Sequence, residues 1–131
     1  MKCLSLKQPY AELVVSGRKT IELRTWNTRF RGAFVVHASG NVDREACLAH
    51  GISPHSVVRR AAVGKAFLHE VKEYASAKEL AEDSCGHLAT GRYAYEYPVY
   101  GFVLKDAAMF AKPVYMPGRL GFFEANITVP W

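Results

Sequence analysis

The chain has 131 residues, of which half are hydrophobic and 22% are charged, and its formal net charge is +5. A chain of this length can bury one hydrophobic core, and this composition excludes a disordered polyelectrolyte. No apolar run approaches the roughly 20 residues that cross a bilayer, and the apolar part of the N-terminus is too short for a signal peptide. We therefore expect a single cytoplasmic domain over residues 1–131, without a membrane partner.

The cysteines and histidines show no spacing typical of a metal site. The three cysteines are far apart without a CxxC pair, and the five histidines have neither HExxH nor HxH spacing. Zinc sites and redox motifs usually show such spacings. Idle thiols in a reducing compartment are the simpler interpretation. The sequence therefore predicts neither a metal nor a cofactor.

The positive net charge favours an anionic partner. The chain has 17 lysines and arginines against 12 aspartates and glutamates. Such an excess attracts polyanions and phosphate-bearing small molecules. The excess is modest, and charge alone does not distinguish RNA from DNA or from a free nucleotide.

In chain order, a short strand is predicted over Lys2–Leu6 and a helix follows it. Pro9 suits the first turn of a helix because its missing N–H would have no partner there. An apolar stripe with helical spacing then runs through Tyr10, Leu13, Val14 and Gly17. Gly17 is typical of the left-handed residue that ends a helix.

Beyond this helix the hydrophobic period changes from that of a helix to that of a strand. Ile21 and Leu23 point to one face, and the opposite face carries Thr20, Glu22, Arg24 and Trp26. Glu22 then lies beside Lys19 and other cations, where a paired carboxylate is tolerated. The sequence thus predicts a charged rim next to the end of the first helix.

The rest of the chain is predicted to form strands and short helices. The strands are expected at Ala33–Ser39, Ala62–Tyr74 and Val99–Met109, with a last strand after the turn in MPGRLGFFEANITV. The helices are expected at Asp43–Gly51, after Ser53 and Pro54, and after Ser76. A loop is expected from Ser84 to Tyr97. About six strands and three or four helices favour a mainly β fold with short helices (α+β), as a small mixed β-barrel.

The stretch KCLSLKQPYAELVVSGRKTIELRTW, residues 2–26, resembles the ASCH domain family, whose fold is like the PUA domain. The family pattern GxKxxExR is present without departure, at Gly17, Lys19, Glu22 and Arg24. Two further stretches are similar to the family, GKAFLHEVKEY to its long central strand and KPVYMPGRLGFFE to its closing loop and last strand. The resemblance implies a β-barrel of five to six strands flanked by helices, with a cleft beside the first helix.

The resemblance also implies recognition of RNA or of a nucleoside, and two hypotheses stay open. In the first, a module binds RNA or a nucleotide in a cationic cleft at the motif. In the second, the chain is a hydrolase, since some relatives remove an acyl group from a modified cytidine and others are ribonucleases. In the amidohydrolase relatives the motif lysine is catalytic and a threonine three residues later is the nucleophile. Lys19 matches that lysine, but Glu22 replaces the threonine, so Lys19 and Glu22 are catalytic candidates only if the chain is an enzyme.

The ligand-binding candidates surround the motif. They are Lys7, Gln8, Tyr10, Arg18, Lys19, Glu22, Arg24 and Trp26. The planar fork of Arg24 suits phosphate, and Trp26 could stack on a base. The alternatives are structural, namely a Glu22–Arg24 salt bridge that braces the barrel rim, and a Tyr10 or Trp26 side chain that packs in the core.

A cluster of tyrosines follows in RYAYEYPVY, at Tyr93, Tyr95, Tyr97 and Tyr100. The period of two predicts an extended segment with an aromatic face. This face could stack on nucleobases or form a seam with a second subunit. The sequence leaves open whether the chain is a monomer or a homodimer.

Overall fold

The structure of the protein is a computed structural model that describes residues 1–91 and 93–128. Within these ranges the chain forms six strands and four short helices. The strands are β1 Lys2–Gln8, β2 Ile21–Arg24, β3 Gly32–Val42, β4 Ala61–Tyr74, β5 Val99–Tyr115 and β6 Phe122–Glu124. The helices are α1 Tyr10–Val15, α2 Arg44–Ala49, α3 Ala77–Glu82 and α4 Ser84–His87.

The strands form a mixed sheet in the order β2-β5-β4-β3-β1-β6. β1 and β3 are parallel and the other neighbours are antiparallel, which confirms the mixed α+β class. The expected closure into a barrel is not found, since no ladder joins β2 to β6 in the described ranges. These two end strands are the shortest, with four and three residues. In place of a ladder, aromatic side chains near these two strands contact each other, and the ring centres of Trp26 and Phe122 are 6.0 Å apart.

The two faces of β1 explain how the core is divided. Leu4 and Leu6 enter the main hydrophobic cluster together with side chains of α1, β3, β4 and β5. Cys3 faces the other way, into a smaller cluster that contains Phe123 of β6. This alternation follows from the period of two in a strand. Each fully buried leucine of this kind stabilises the fold by about 1.5–3 kcal/mol.

The end of α1 sets the path of the chain into β2. Gly17 has φ +83°, a conformation that costs glycine little because it has no Cβ. The Gly17 N–H donates to the Val14 carbonyl at 3.0 Å, and the Lys19 N–H donates to the Leu13 carbonyl at 2.9 Å. The predicted helix end is therefore confirmed, and it turns Lys19 back towards the helix.

Most of the predicted elements are confirmed, but one predicted helix is wrong. Residues 51–60 form turns and bends rather than a helix after Ser53 and Pro54. The Val58 side chain packs against the main core, and its carbonyl accepts a hydrogen bond from Gln8 Nε2 at 2.9 Å. These tertiary contacts replace the helical ones. A turn of helix, α4, lies where a loop was predicted, and β5 runs six residues beyond the predicted end at Met109.

Candidate functional site

A cavity of about 410 Å³ opens beside α1, between β1, β2, the start of α2 and the loop after α4. It is lined by Ser5, Lys7, Tyr10, Lys19, Glu22, Leu23, Arg24, Thr25, Trp26, Asp43, Ala89, Thr90, Tyr95 and Val99. We call it the motif cavity because it contains the lysine, the glutamate and the arginine of GxKxxExR. Its volume is in the range of small-molecule sites, about 300–1,000 Å³.

Lys19 is buried at the inner wall of the motif cavity, with 3% of its surface exposed. Its ammonium donates a hydrogen bond to the His87 carbonyl in α4. It also lies 3.5 Å from Glu22 Oε1 and 5.0 Å from the centre of the Tyr10 ring. Lys19 therefore fastens α4 to β2 and is not a free surface cation.

Burial lowers the pKa of Lys19, because a desolvated ammonium is disfavoured. The Glu22 carboxylate opposes this shift, and the nearby Arg24 guanidinium adds to it. A lysine with a lowered pKa is more readily deprotonated than one in water. Such a lysine can accept a proton in a reaction that needs a base.

Arg24 connects the two strands that border the motif cavity. Its Nη2 lies 2.9 Å from Glu22 Oε2 and donates to the Ser5 carbonyl at 2.8 Å. The second bond links β2 to β1, which are not neighbours in the sheet. Its Nε is buried and has no hydrogen-bond partner among the described residues. The Glu22–Arg24 salt bridge at the rim is thus present, while 19% of the Arg24 side chain stays exposed.

Three aromatic side chains form the less polar walls. Trp26 packs edge-on against Phe102 at 5.3 Å, so it serves the core with one side and lines the cavity with another. Burial, and next the Asp43 carboxylate, raises the pKa of Tyr10 to about 12. Burial also raises the pKa of Tyr95. Both phenols are therefore neutral hydrogen-bonding groups at physiological pH.

Asp43, Thr90 and Ser5 line the motif cavity and were not among the sequence candidates. The Asp43 carboxylate caps α2 by accepting a hydrogen bond from the Ala46 N–H at 3.0 Å. A helix start at Asp43 was predicted from the sequence, but nothing indicated that this helix begins beside α1. The Asp43 N–H donates to the Gln8 carbonyl at 2.7 Å, and this contact brings it to the cavity.

Gln8 and Arg18, two of the ligand-binding candidates, do not line the motif cavity. Gln8 is 1% exposed, and its side chain accepts from the Glu12 N–H at 3.0 Å as well as donating to the Val58 carbonyl. Arg18 is exposed and donates to the His50 carbonyl at 3.2 Å. Gln8 thus holds the start of α1, and Arg18 points towards the turn after α2.

The outer wall of the cavity is a cover segment, which we define as residues 84–91 and 93–95. Beyond the Lys19 bond, the Thr20 N–H donates to the Gly86 carbonyl at 2.9 Å. The buried His87 donates from Nε2 to the Leu80 carbonyl at 2.8 Å and accepts from the Ala89 N–H at Nδ1. These two bonds define the neutral tautomer, and burial lowers the pKa of His87. The cover segment is therefore held at its α4 end.

The tyrosines of RYAYEYPVY do not share one face. Tyr95 lines the motif cavity, and Tyr100 packs against the main core from β5. The Tyr93 ring lies edge-on to His87 at 5.3 Å, while the Tyr97 hydroxyl donates to the Tyr93 carbonyl at 2.7 Å. Tyr95 alone of the four contributes to the cavity lining.

Other kinds of site receive no support from the arrangement of side chains. In the described ranges, no group of three or more histidine, cysteine, aspartate or glutamate residues is placed to hold a metal ion. Cys3, Cys47 and Cys85 are free thiols. Within the same ranges, every helix is too short or too polar to cross a membrane.

Comparisons with known proteins agree with this architecture. The matching family is described as ASCH domain, over residues 4–113. The crystal structure of ASCH from Zymomonas mobilis is similar, with a TM-score of 0.64, 16% identity, 87% of this chain covered and 72% of the other. The crystal structure of a mutant of ZmASCH from Zymomonas mobilis gives a TM-score of 0.65 with 16% identity, 88% of this chain covered and 73% of the other. No curated protein matches the sequence. Because the family match extends over most of the chain, the protein belongs to the ASCH domain family, a PUA-like family generally linked to RNA binding.

Proposed function

We propose that the protein binds RNA or a nucleotide, with one nucleotide seated in the motif cavity. The observation that carries the proposal is the lining itself, which joins the cations Lys7 and Arg24 to the aromatic walls of Trp26 and Tyr95. Cations that contact the backbone and rings that stack on bases are the two parts of a single-strand binding site. The volume of about 410 Å³ suits one nucleotide rather than a duplex.

The buried and exposed residues of the motif would have different roles. Lys19 and Glu22 are 3% and 8% exposed, so they shape the wall and hold the cover segment. Lys7 is exposed and Arg24 is half-buried, and these two reach phosphate. Arginine is favoured for this contact because its planar fork donates to two phosphate oxygens.

The experiment is a calorimetric or fluorescence titration with nucleoside monophosphates and short RNA. We expect Arg24→Lys to weaken binding about 10-fold, equivalent to about 1.4 kcal/mol, because lysine keeps the charge but not the fork. For RNA binding, the logarithm of the binding constant falls linearly with the logarithm of the salt concentration. Lys7→Ala should reduce the magnitude of this slope by about 0.7, which is the contribution of one phosphate contact.

The matched control is Lys112→Ala, which removes an exposed cation of β5 that lies outside the cavity lining. Its binding and salt slope should equal those of the wild type. The proposal is wrong if the wild-type protein binds no nucleotide or RNA. It is equally wrong if Arg24→Lys and Lys7→Ala both bind as the wild type does.

A second candidate function is hydrolysis of an acylated nucleoside or of RNA, favoured by the lowered pKa of Lys19. Lys19 would take part in proton transfer, and Glu22, 3.5 Å away, would orient it or act as the base. The test incubates the protein with acylated nucleosides and short RNA and measures product. Turnover that disappears in a folded Lys19→Met variant supports the enzyme, and binding without product supports the module.

We also propose a cytoplasmic location. The support is the state of the thiols, since Cys3 and Cys47 are buried without a disulfide and Cys85 is exposed and free. Exposed free thiols persist in reducing compartments. Cell fractionation with an antibody to the protein tests the location directly.

A further inference from the structure

A second cavity, of about 440 Å³, lies on the other side of the start of α2. It is lined by Arg44, Leu48, Gly51, Ile52, Ser53, Pro54 and His55. We call it the α2 cavity. It is formed by the exposed face of α2 and by the turn that replaces the predicted helix after Ser53.

The lining of the α2 cavity combines one arginine with apolar side chains. Arg44 Nη2 and His55 Nε2 lie 3.4 Å apart, and none of the described residues that line the cavity is acidic. Leu48 is 71% exposed, which leaves an apolar surface without a partner among the residues that the structure describes. Arg59 adds a further cation, because its Nη2 donates to the Pro54 carbonyl at 3.2 Å.

The two cavities are adjacent along the chain. Asp43 lines the motif cavity and Arg44 lines the α2 cavity. Consecutive Cα atoms are about 3.8 Å apart, so the two linings meet at the N-terminal end of α2, where Asp43 is the cap and Arg44 is the first helical residue. An RNA strand that leaves the motif cavity at Asp43 would therefore pass Arg44 next.

We propose that the α2 cavity is a subsite for the neighbouring nucleotide of single-stranded RNA whose first bound nucleotide occupies the motif cavity. The inference rests on the proposed function. Arg44 contacts the phosphate that connects the two nucleotides, and Leu48 and Ile52 contact the second base. The absence of carboxylates from the described lining favours a polyanion over a protein segment of mixed charge.

The experiment compares the affinities of mono-, di- and tetranucleotides of adenylate and of uridylate at several salt concentrations. We expect the tetranucleotide to bind about 10-fold or more tightly than the mononucleotide, because the second subsite adds a phosphate contact and a base contact. Arg44→Gln should remove most of this gain and lower the logarithmic salt slope by about 0.7. It should leave mononucleotide affinity unchanged.

Leu48→Ser separates the base contact from the charge. Leu48 is exposed, so its replacement costs little stability. This variant should lose part of the tetranucleotide gain with an unchanged salt slope. Lys112→Gln, with the same charge change as Arg44→Gln, is the control and should behave as the wild type.

The results distinguish this inference from the function on which it rests. If no nucleotide of any length binds, the proposed function fails and the subsite fails with it. If mononucleotides bind but tetranucleotides bind no more tightly, only the subsite is overturned. The subsite is also overturned if Arg44→Gln keeps the full gain.

Discussion

Lys19 illustrates how one residue of a motif acquires a structural role. In the sequence it is a cation among cations, and a phosphate contact is the natural expectation. In the fold it is almost fully buried, bonded to the His87 carbonyl and close to Glu22. A buried lysine is tolerated only with such partners. Lys19 and Glu22 of the motif therefore form the wall of the cavity, while Arg24 of the motif and Lys7 of β1 are more exposed.

We predict that Lys19→Met destabilises the protein by about 2 kcal/mol, since the His87 carbonyl loses its donor and Glu22 loses one of two cationic partners. Urea denaturation measures the difference. Lys7→Met is the matched control, because Lys7 is an exposed lysine of the same cavity, and its effect should stay within about 0.5 kcal/mol. Equal stabilities of the two variants would contradict the role assigned to Lys19.

We expect the difference in stability between the wild type and Lys19→Met to depend on pH. Burial holds the pKa of Lys19 in the folded state below its ordinary value of 10.5. Between these two pKa values the unfolded chain binds more protons than the folded chain, so the free energy of unfolding rises with pH. The stability advantage of the wild type over Lys19→Met should therefore grow as the pH is raised towards 10.5. A constant difference would mean that Lys19 is solvated.

At the scale of elements, short helices position the cavity. α1 has six residues and α2 has six, too few to be stable alone. The residues at their ends set the path of the chain. Gly17 follows α1, and the Asp43 cap precedes α2. The first directs Lys19 and β2 back along the helix, and the second presents Asp43 to the cavity. The predicted helix ends were accurate here because capping is a local property.

The turn at Gly17 is open to a direct test. Nothing lies within 4 Å of a Cβ built there, so a substitution changes the backbone energy without a steric clash. Gly17→Ala should cost about 1 kcal/mol, and Gly17→Asn should cost less because asparagine tolerates the left-handed region better. Thermal unfolding measures both. If the alanine and asparagine variants are equally stable, the positive φ does not govern this helix end.

At the scale of the whole molecule, aromatic side chains connect the two ends of the sheet. Phe122 of β6 contacts several rings of the core, namely those of Trp26, Phe30, Phe34 and Phe102. The same Trp26 lines the motif cavity. The bond from Arg24 to the Ser5 carbonyl likewise connects β2 to β1. The cavity thus lies beside β1 and β2, which are four ladders apart in the sheet.

We predict that Phe122→Ala destabilises the fold by about 3 kcal/mol, in the range observed for large-to-small changes in aromatic cores. Phe67→Ala is the control, because Phe67 lies outside the core clusters and stacks under Lys105 at 5.1 Å. Its cost should be smaller. Chemical denaturation compares the two variants, and a larger effect at Phe67 would contradict the role of Phe122 in joining the ends of the sheet.

The predictions from the sequence were accurate where the deciding interactions are local and failed where they join residues distant in the chain. The predicted helix after Ser53 is absent, and Val58 in this segment instead packs on the main core and accepts a hydrogen bond from Gln8, fifty residues away. Gln8 was assigned to the cleft from the family resemblance, and Arg18 as a cation beside Lys19. The bonds of Gln8 run to Glu12 and Val58, and the bond of Arg18 runs to His50. Neither outcome has a local signature.

The amino-acid sequence by itself determined the mixed fold, the end of α1, the charged motif and the family, because periodicity, caps and a short pattern depend on neighbouring residues. Only the tertiary structure decided that the sheet stays open, that Lys19 is buried under α4, and that Asp43, Thr90 and Tyr95 complete the cavity. The physical reason is that burial and hydrogen-bond partners are set by residues distant in the chain, whose meeting depends on how all the strands pack together.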